Sequence, residues 1–524
     1  MGKLTIANLK KTLYYLGRNG LRNTWNAAVE RLSATERYSF RPLSEEEKKA
    51  LREQARESIR TWSEAGEEVP TFSILVPAYR TNPVFLKDLV VSLQEQAYPL
   101  WELLLLDASG DESVHAALEE ICKETHVPMF SERLAGDEDD AVNVGSIRYV
   151  RLAKNGGISE NTNAGIPYAH GRYVGLLDHD DVLTPDALLE MAKAIRGEKE
   201  TLEAPLLVYS DEDKWDGAGQ YYERNRKEDF NFDLLLSNNY ICHFLVMERE
   251  LFCELQLRKE FDGAQDYDLV LRAVAEMIAR GLTPEQAICH VPKVLYHWRC
   301  HGGSTAENPQ SKLYAYEAGK RALQDFADGQ GWQAKAEDLK HLGFYKLRYY
   351  RAGTKAAETE NGEPCLTLEI RKDLGAMGGK ILSNNVLVGG RMAEDGGIFY
   401  EGLKAEFSGY LHRGVLTQDA EAVDLRCICV AKEFWPLFER LVGVPYVTRP
   451  LIKQDGQSDQ EGFEIEIFDA GTLPGDADVK KLSLLLCKAL REQGKRILWD
   501  PGLVLRDLRG GKLHDDDHGN HPEL

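Results

Sequence analysis

The run Tyr173-Val174-Gly175-Leu176-Leu177-Asp178-His179-Asp180-Asp181 carries the densest chemical signal in the chain. An apolar stretch ends abruptly in a carboxylate cluster. That is how a buried strand stops and presents Asp178 and Asp180 at its carboxyl end. α/β proteins place ligands at such tips, and paired carboxylates there suit a hard divalent cation carrying a diphosphate. The same triplet also occurs as a solvated turn in acidic chains, so its neighbours decide between the two readings. Pro77-Ala78-Tyr79-Arg80 follows another apolar run, and its backbone and the Tyr79 ring can hold a nucleobase. Asp107 ends a third such run and can accept a hydrogen bond from a base or ribose. Far downstream, Gln265-Asp266-Tyr267-Asp268 opens a helical pattern, and Tyr296-His297-Trp298-Arg299-Cys300-His301 brings cations. A metal site, a later carboxylate and a later cationic clamp form a kit for moving a group off a nucleoside diphosphate.

The elements that must position these residues alternate. Strands are predicted at 71–77, 101–106, 148–152 and 173–177. Helices are predicted at 83–96, from His115 to Cys122, at 159–169 and at 185–195. Strand–helix alternation implies a doubly wound, mostly parallel sheet. Ahead of it, Ser44 with Glu47 three residues later reads as a capping box for a charged helix over 44–66. Residues 1–32 hold six Lys and Arg against Glu30 alone, with Ile6, Leu9, Leu13 and Leu16 on one helical face. Such a basic amphipathic helix either lies on an anionic membrane surface or packs on the domain beside it. Glu132 to Asp140 reads as an acidic surface insertion, 353–364 as a polar linker, 312–328 as an alanine-rich helix, and the stretch from 508 as a disordered tail.

At 524 residues, two or three domains are expected. The composition is that of a soluble globular protein. A net charge of -21 argues against a nucleic-acid partner, because phosphate contacts need clustered cations. No apolar run approaches the roughly 18–20 residues of a membrane span, and no apolar core of a secretory signal follows Lys3. Nine cysteines without C-x-x-C spacing read as reduced thiols of a cytosolic protein.

Taken as a set, seven segments resemble the family 2 glycosyltransferases, inverting enzymes of the GT-A fold. They are Ser73-Ile74-Leu75-Val76-Pro77-Ala78-Tyr79, Asn155-Gly156-Gly157-Ile158-Ser159, Leu177 to Asp181, Tyr209-Ser210-Asp211-Glu212-Asp213-Lys214, Asn239-Tyr240-Ile241-Cys242-His243, Gln265-Asp266-Tyr267-Asp268-Leu269 and Tyr296 to Arg299. The likeness spans about residues 10 to 350. It is greatest to the bacterial rhamnosyltransferase-like subgroup that builds O-antigen and other surface polysaccharides. The family usually carries Asp-Asp-Gly-Ser after the second strand; here it is Asp107-Ala108-Ser109-Gly110.

The resemblance implies a role for each matching position. Asp180, with Asp178, would hold Mg²⁺ or Mn²⁺ on the diphosphate of a UDP- or dTDP-sugar. Pro77, Tyr79, Asp107 and Asn155 would face the nucleotide. Asp266, in a Gln-Asp where the family usually has Glu-Asp, would be the general base, and Arg299 and His301 would meet the diphosphate. Asp211, Asp213, His243, Gln265, Asp268 and Trp298 would line the acceptor or donor-sugar pocket. Bland readings stand beside several of these: a helix support for Asp268, a solvated turn for Asp211 and Asp213, and core packing for His243 and Trp298. The acceptor would be a glycan or lipid-linked hydroxyl, at the cytoplasmic face of the membrane.

The organisation expected is helices over 1–66, the GT-A domain over 67–330, a spacer over 331–363 and a second α/β domain over 364–507. That second domain resembles a truncated GT-A module, with Glu363 to Ile370 as a first strand and its nucleotide-binding half deleted. Pairing Leu269 with Leu486 sets Asp266 against Ser483, which cannot serve as a base. A noncatalytic glycan-binding or assembly partner is therefore the alternative function. A nucleotidyltransferase is disfavoured because no glycine-rich phosphate loop follows the first strand.

Overall fold

The structure, a computed structural model, describes residues 6–33, 38–131, 144–197, 204–300, 313–351, 364–453 and 463–507. The acidic insertion, most of the linker, His301 and the tail lie outside these residues. Two compact units divide the chain: Met1–Leu21 with Ser33–Leu347, and Arg22–Leu32 with Arg348–Leu524.

The first unit is built on a ten-stranded sheet. Its strands are β1 (Phe72–Ala78), β2 (Trp101–Asp107), β3 (Met129–Ser131), β4 (Ser146–Arg151), β5 (Tyr173–Leu176), β6 (Val182–Leu183), β7 (Leu207–Trp215), β8 (Tyr221–Asn225), β9 (Leu245–Glu248) and β10 (Ile288–Arg299). They run in the order β3-β4-β2-β1-β5-β9-β7-β10-β6, with β8 as a hairpin on β7. The half from β3 to β5 is wholly parallel. β9 then enters antiparallel between β5 and β7, β10 runs parallel to β7, and β6 closes the edge antiparallel.

β1 and β2 are central and covered on both faces, which is why they read as unbroken apolar runs. Ile74, Leu75, Val76 and Leu103 to Leu106 have no exposed surface. Helices Pro83–Gln94 and Ala187–Arg196 bury Leu86, Leu89, Leu93, Leu188 and Met191 in the same core. The helix Glu45–Glu64 starts at the expected capping box: Ser44 Oγ accepts from Glu47 N at 3.3 Å and Glu47 Oε2 accepts from Ser44 N at 2.7 Å.

Two predicted elements differ. The helix expected over 159–169 is a short one, Ile158–Asn163, followed by a 3₁₀ turn, Ile166–Tyr168. Pro167 has no N–H to continue the α-helical ladder. The strand expected over 363–370 is a helix, Pro364–Ile370; Pro364 stands at its first position, where a missing N–H costs nothing. The first unit also continues past 330, through a two-stranded sheet of β11 (Ala334–Asp338) and β12 (Tyr345–Tyr349).

The amino-terminal helix Ile6–Ser33 breaks at Gly20, whose φ of 75° and ψ of 170° are non-helical. Within the first unit, Arg18 donates to Leu339 O at 3.1 Å and Tyr15 stacks on His341. Within the second, the Glu30 carboxylate accepts from the backbone N–H groups of Ser408 and Gly409 at 3.0 and 2.6 Å. Leu13, Leu21 and Trp25 remain exposed. No helix among the described residues is long and apolar enough to cross a membrane.

The second unit repeats one half of the first in its pairing pattern. β13 (Leu374–Ser383) runs parallel to the strand Arg496–Asp507, and antiparallel to its hairpin partner β14 (Val386–Gly389) and to Ile428–Val430. β7 has the same three relations, with β10, β8 and β9. The registers coincide as well. Tyr209 faces His290 and Leu245; Gly378 faces Trp499 and Ile428. Beyond those residues both parallel pairs pass a bulge. Glu212 then faces Tyr296, and Ile381 faces Leu505, three residues further along β7 or β13 and six along its partner. Asp211, Glu212 and Asp213 are thus matched by Lys380, Ile381 and Leu382. No counterpart of β1 to β5 is found among the described residues of this unit.

The sequence pairing sets Asp266 against Ser483. Ser483 lies a turn inside the helix Val479–Arg491, its hydroxyl donating to Val479 O and accepting from Leu425 N.

Candidate active site

The parallel half of the sheet sends three strand ends to one edge. β1 ends at Ala78, β2 at Asp107, and β5 at Leu176 just before Leu177 and Asp178. A cleft of about 490 Å³, counting the part open to solvent, opens at this edge. Its apolar walls include Leu75, Pro77, Ile158 and Leu176, and its polar wall is Asp178, Cys242, His243, Gln265 and Asp266. The carboxylate from the end of β5 and the one from the start of the helix Gln265–Ala279 therefore line one cavity.

Asp178, Asp180 and Asp181 each bring a carboxylate oxygen to within 4.8 Å of the others. Asp181 is fully buried and engaged: Tyr296 Oη donates to its Oδ2, and Arg299 N donates to its Oδ1 at 2.7 Å. Asp178 and Asp180 are half-buried. Burial, with the negative charge of Asp180 adding to it, pushes the Asp178 carboxyl above its ordinary range. Burial likewise raises Asp181 well above its own. Crowded, desolvated carboxylate oxygens are a hard donor set whose mutual repulsion a divalent cation relieves. The residues present fit a hard divalent cation.

At the end of β2, Asp107 is buried. Its Oδ2 accepts from Tyr149 Oη at 2.7 Å and its Oδ1 from Ser109 N at 2.9 Å. Tyr79 is 44 % exposed, with the Arg80 guanidinium over its ring. Asn155 shapes the turn into helix Ile158–Asn163, its Oδ1 accepting from Gly157 N at 3.0 Å and Asn161 Nδ2 at 2.9 Å. Gly157 sits at φ 98°, and a Cβ there would lie 2.4 Å from an Asp262 carboxylate oxygen. Only glycine fits that turn.

The polar wall is held by a buried charge web that sequence reasoning did not find. His243 Nδ1 bonds Glu212 Oε2 at 2.8 Å, and its ring stacks on Tyr296 at 4.6 Å and 9°. Lys227, buried, donates to the carbonyls of Ile241 and His243 and lies 3.8 Å from Glu212. Burial opposes charge on Glu212, but Lys227 and His243 outweigh it and hold the carboxyl down at about 2. Burial also opposes charge on His243, and Cys242 and Glu212 still raise its imidazole well above its ordinary value. The web is therefore Glu212⁻ flanked by two cations. Nothing in local spacing signals it, because Glu212, Lys227 and His243 come from three separate segments.

Several expected site residues are engaged in support. Asp268 takes Arg258 and Arg272, the latter at 2.7 Å, and is fully buried. Asp211 takes His290 at 3.0 Å and Arg224 at 3.0 Å. Asp213 takes Tyr38 Oη at 2.7 Å and His297 at 2.5 Å. Gln265 lines the cleft while its Oε1 accepts from Gly263 N at 2.8 Å. Trp298 packs against the core and carries the Lys214 ammonium over its ring.

Arg299 is buried. Its guanidinium is sandwiched between Trp215 and Phe85 at 4.1 and 4.6 Å, pairs with Asp88 at 2.8 Å and donates from Nε to Asp180 O at 2.5 Å. Rather than standing open to an anion, it braces the Asp178–Asp181 turn.

A family model described as glycosyl transferase family 2 matches residues 73–255. The chain is 36 % identical over 258 residues to the uncharacterized protein y4gI of Sinorhizobium fredii, covering 49 % of this chain and 25 % of that protein. It is 32 % identical over 286 residues to the O-antigen biosynthesis protein RfbC of Myxococcus xanthus, covering 54 % and 20 %. It thus spans a quarter or less of the length of these two relatives. Among solved structures, Staphylococcus aureus TarS 1–349 in complex with UDP-GlcNAc aligns with 16 % identity and a TM-score of 0.36, over 50 % of this chain and 66 % of that one. The matched segment begins within β1 and contains the Asp178–Asp181 turn, so the likeness to glycosyl transferase family 2 falls on the part of the chain that builds the cleft.

Proposed function

We propose that the first unit is a metal-dependent inverting glycosyltransferase. It moves a sugar from a UDP- or dTDP-sugar to a hydroxyl of a bacterial surface glycan or lipid-linked acceptor, at the cytoplasmic face of the membrane. The observation that carries this reading is the shared cleft of Asp178 and Asp266. Asp178 and Asp180 hold Mg²⁺ or Mn²⁺; when bound, the cation supplies charge neutralisation at the departing diphosphate. Asp107 and Tyr79 face the nucleoside. Asp266 accepts the proton of the acceptor hydroxyl as that oxygen bonds the anomeric carbon from the face opposite the diphosphate, whose C–O bond breaks. General-base assistance of this kind is worth about 10²–10⁴ in rate.

The test is Asp180→Asn and Asp266→Asn, assayed with a nucleotide-sugar panel and Mn²⁺. Each is expected to lose at least about 10²-fold in kcat. Full activity in either variant refutes its role. The relatives' surface-polysaccharide names support the acceptor class.

The second unit, on this reading, takes no part in the chemistry. Lys380, Ile381 and Leu382 match Asp211, Glu212 and Asp213 in strand register, and the sequence pairing sets Ser483 against Asp266.

Membrane attachment through residues 1–32 is supported by the exposed Leu13, Leu21 and Trp25 on a basic helix. Replacing the three with Gln should reduce co-sedimentation with phosphatidylglycerol vesicles. Unchanged binding refutes the attachment.

A further inference from the structure

We infer that Asn239 and Cys242 are positioning residues that hold one carboxylate oxygen of Asp266 and leave the other free to take the acceptor's proton. The inference rests on Asp266 being the base and adds how that base is aimed.

Two side chains of one turn meet Asp266. Asn239 Nδ2 donates to Oδ2 at 2.8 Å, and the Cys242 thiol donates to the same Oδ2 at 3.2 Å. Among the described residues, neither of these bonds nor any other falls on Oδ1. A carboxylate pinned through one oxygen has lost rotation about its χ2, so the second oxygen has a fixed direction. Asp266 lines the cleft that also holds Asp178, so on the proposed reading the oxygen left unbonded is the one available to the acceptor.

The turn itself is anchored. Asn239 Oδ1 accepts from Cys242 N at 3.4 Å, and Lys227 grips the carbonyls of Ile241 and His243. Burial, with the charge of Asp266 adding to it, pushes the Cys242 thiol up to about 12. It therefore keeps its proton at neutral pH and acts as a donor rather than a nucleophile. The same sulfur lies 3.4 Å from His243 Nε2, so the thiol sits between the imidazole and the Asp266 carboxylate.

A base misplaced by about 1 Å can cost on the order of 10²-fold in rate while leaving substrate binding intact. Asn239→Ala and Cys242→Ala should thus each lower kcat by about 10–10²-fold with KM for the nucleotide-sugar unchanged. Cys242→Ser keeps a donor and should stay within about threefold of wild type. The assay is release of the nucleoside diphosphate from UDP-glucose, UDP-GlcNAc and dTDP-rhamnose with Mn²⁺, with water as acceptor.

A second measurement needs no turnover. In Asp266→Asn the neighbouring negative charge is gone, so the Cys242 thiolate fraction rises. The higher thiolate fraction, offset only in part by the lower nucleophilicity of a less basic thiolate, gives faster alkylation by iodoacetamide. The rate is read at the Cys242 peptide by mass spectrometry.

Wild-type kcat in both alanine variants, with Asp266→Asn inactive, overturns this inference and spares the base. Full activity of Asp266→Asn overturns the base itself. Equal alkylation of wild type and Asp266→Asn overturns the thiol–carboxylate contact. An equal loss in Cys242→Ser and Cys242→Ala assigns Cys242 to packing and overturns its positioning role.

Discussion

Arg299→Lys separates two roles that a single arginine near a metal site can have. In the structure the guanidinium is a strut: both faces are covered, by Trp215 and Phe85, one nitrogen pairs with Asp88, and Nε bonds the Asp180 carbonyl. Lysine keeps the charge and loses the plane. Two cation–π contacts at about 0.5–1 kcal/mol each are weakened, and a hydrogen bond from a charged donor, worth about 1.5–3 kcal/mol, is lost. A compensating reach of the ammonium to Asp88 returns part of this. The net loss should be about 2–4 kcal/mol. For a domain of this size that lowers the melting temperature of the first unit by about 4–10 °C.

The turn that Arg299 braces carries Asp178 and Asp180. The Mn²⁺ concentration giving half-maximal thermal stabilisation should therefore rise in the variant. Differential scanning calorimetry with and without Mn²⁺ reads both effects. If Arg299 instead meets the diphosphate, Arg299→Lys melts within about 1 °C of wild type, keeps its Mn²⁺ response and loses only nucleotide-sugar affinity. That outcome refutes the strut.

Two further outcomes follow from buried charge. The Glu212 carboxyl sits at about 2 in the fold against about 4.3 in an unfolded chain, so its contribution is complete above the unfolded value and is lost as pH falls toward 2. Glu212→Gln should melt lower than wild type at pH 7, and the gap should narrow on acidification below about pH 4.5; a gap independent of pH refutes the ion web. In the second unit, Lys380 is buried beside Trp499, and desolvation holds its ammonium down at about 8. The unfolded chain then binds more protons between about pH 8 and 10.4, so stability of this unit should rise across that window. Lys380→Met should remove the rise and stabilise the unit at pH 7 by on the order of 3 kcal/mol; an unaltered pH–melting profile refutes it.

The placement of the candidate site's carboxylates was legible in the sequence where covalent order and spatial order coincide. A strand that runs straight into Asp178, and a helix that starts at Gln265-Asp266, each announce a side chain at an element's end, and parallel β-topology brings such ends to one edge. The capping box at Ser44 was legible for the same reason, since its partners are three residues apart. The strand assigned to 363–370 failed because a short apolar run does not distinguish strand from helix, and Pro364 decided for the helix. What stayed hidden depends on contacts far apart in the chain. Phe85, Asp88 and Trp215 reach Arg299 from strand and helix segments that no local period relates. The pair Asn239 and Cys242 reaches Asp266 across an intervening strand and helix. The motif around Asn239 was visible as a block, but not what it held.

The two units set the same strand pairings in different chemistry, and that comparison tests which residues the backbone needs. The bulged parallel pair, its hairpin and its antiparallel neighbour recur with matching register. Their geometry therefore does not depend on Asp211, Glu212 or Asp213, whose counterparts are Lys380, Ile381 and Leu382. Residues dispensable for the pairing but charged and buried in the first unit bear a desolvation cost there. In the first unit that cost is met by Lys227, His243, His290 and Arg224, and Lys227 also grips the carbonyls of Ile241 and His243 on either side of Cys242. On the proposed mechanism, the buried charges of β7 serve as scaffolding for the wall beside Asp266. Substituting them should lower kcat through Asp266 before it alters which sugar is bound.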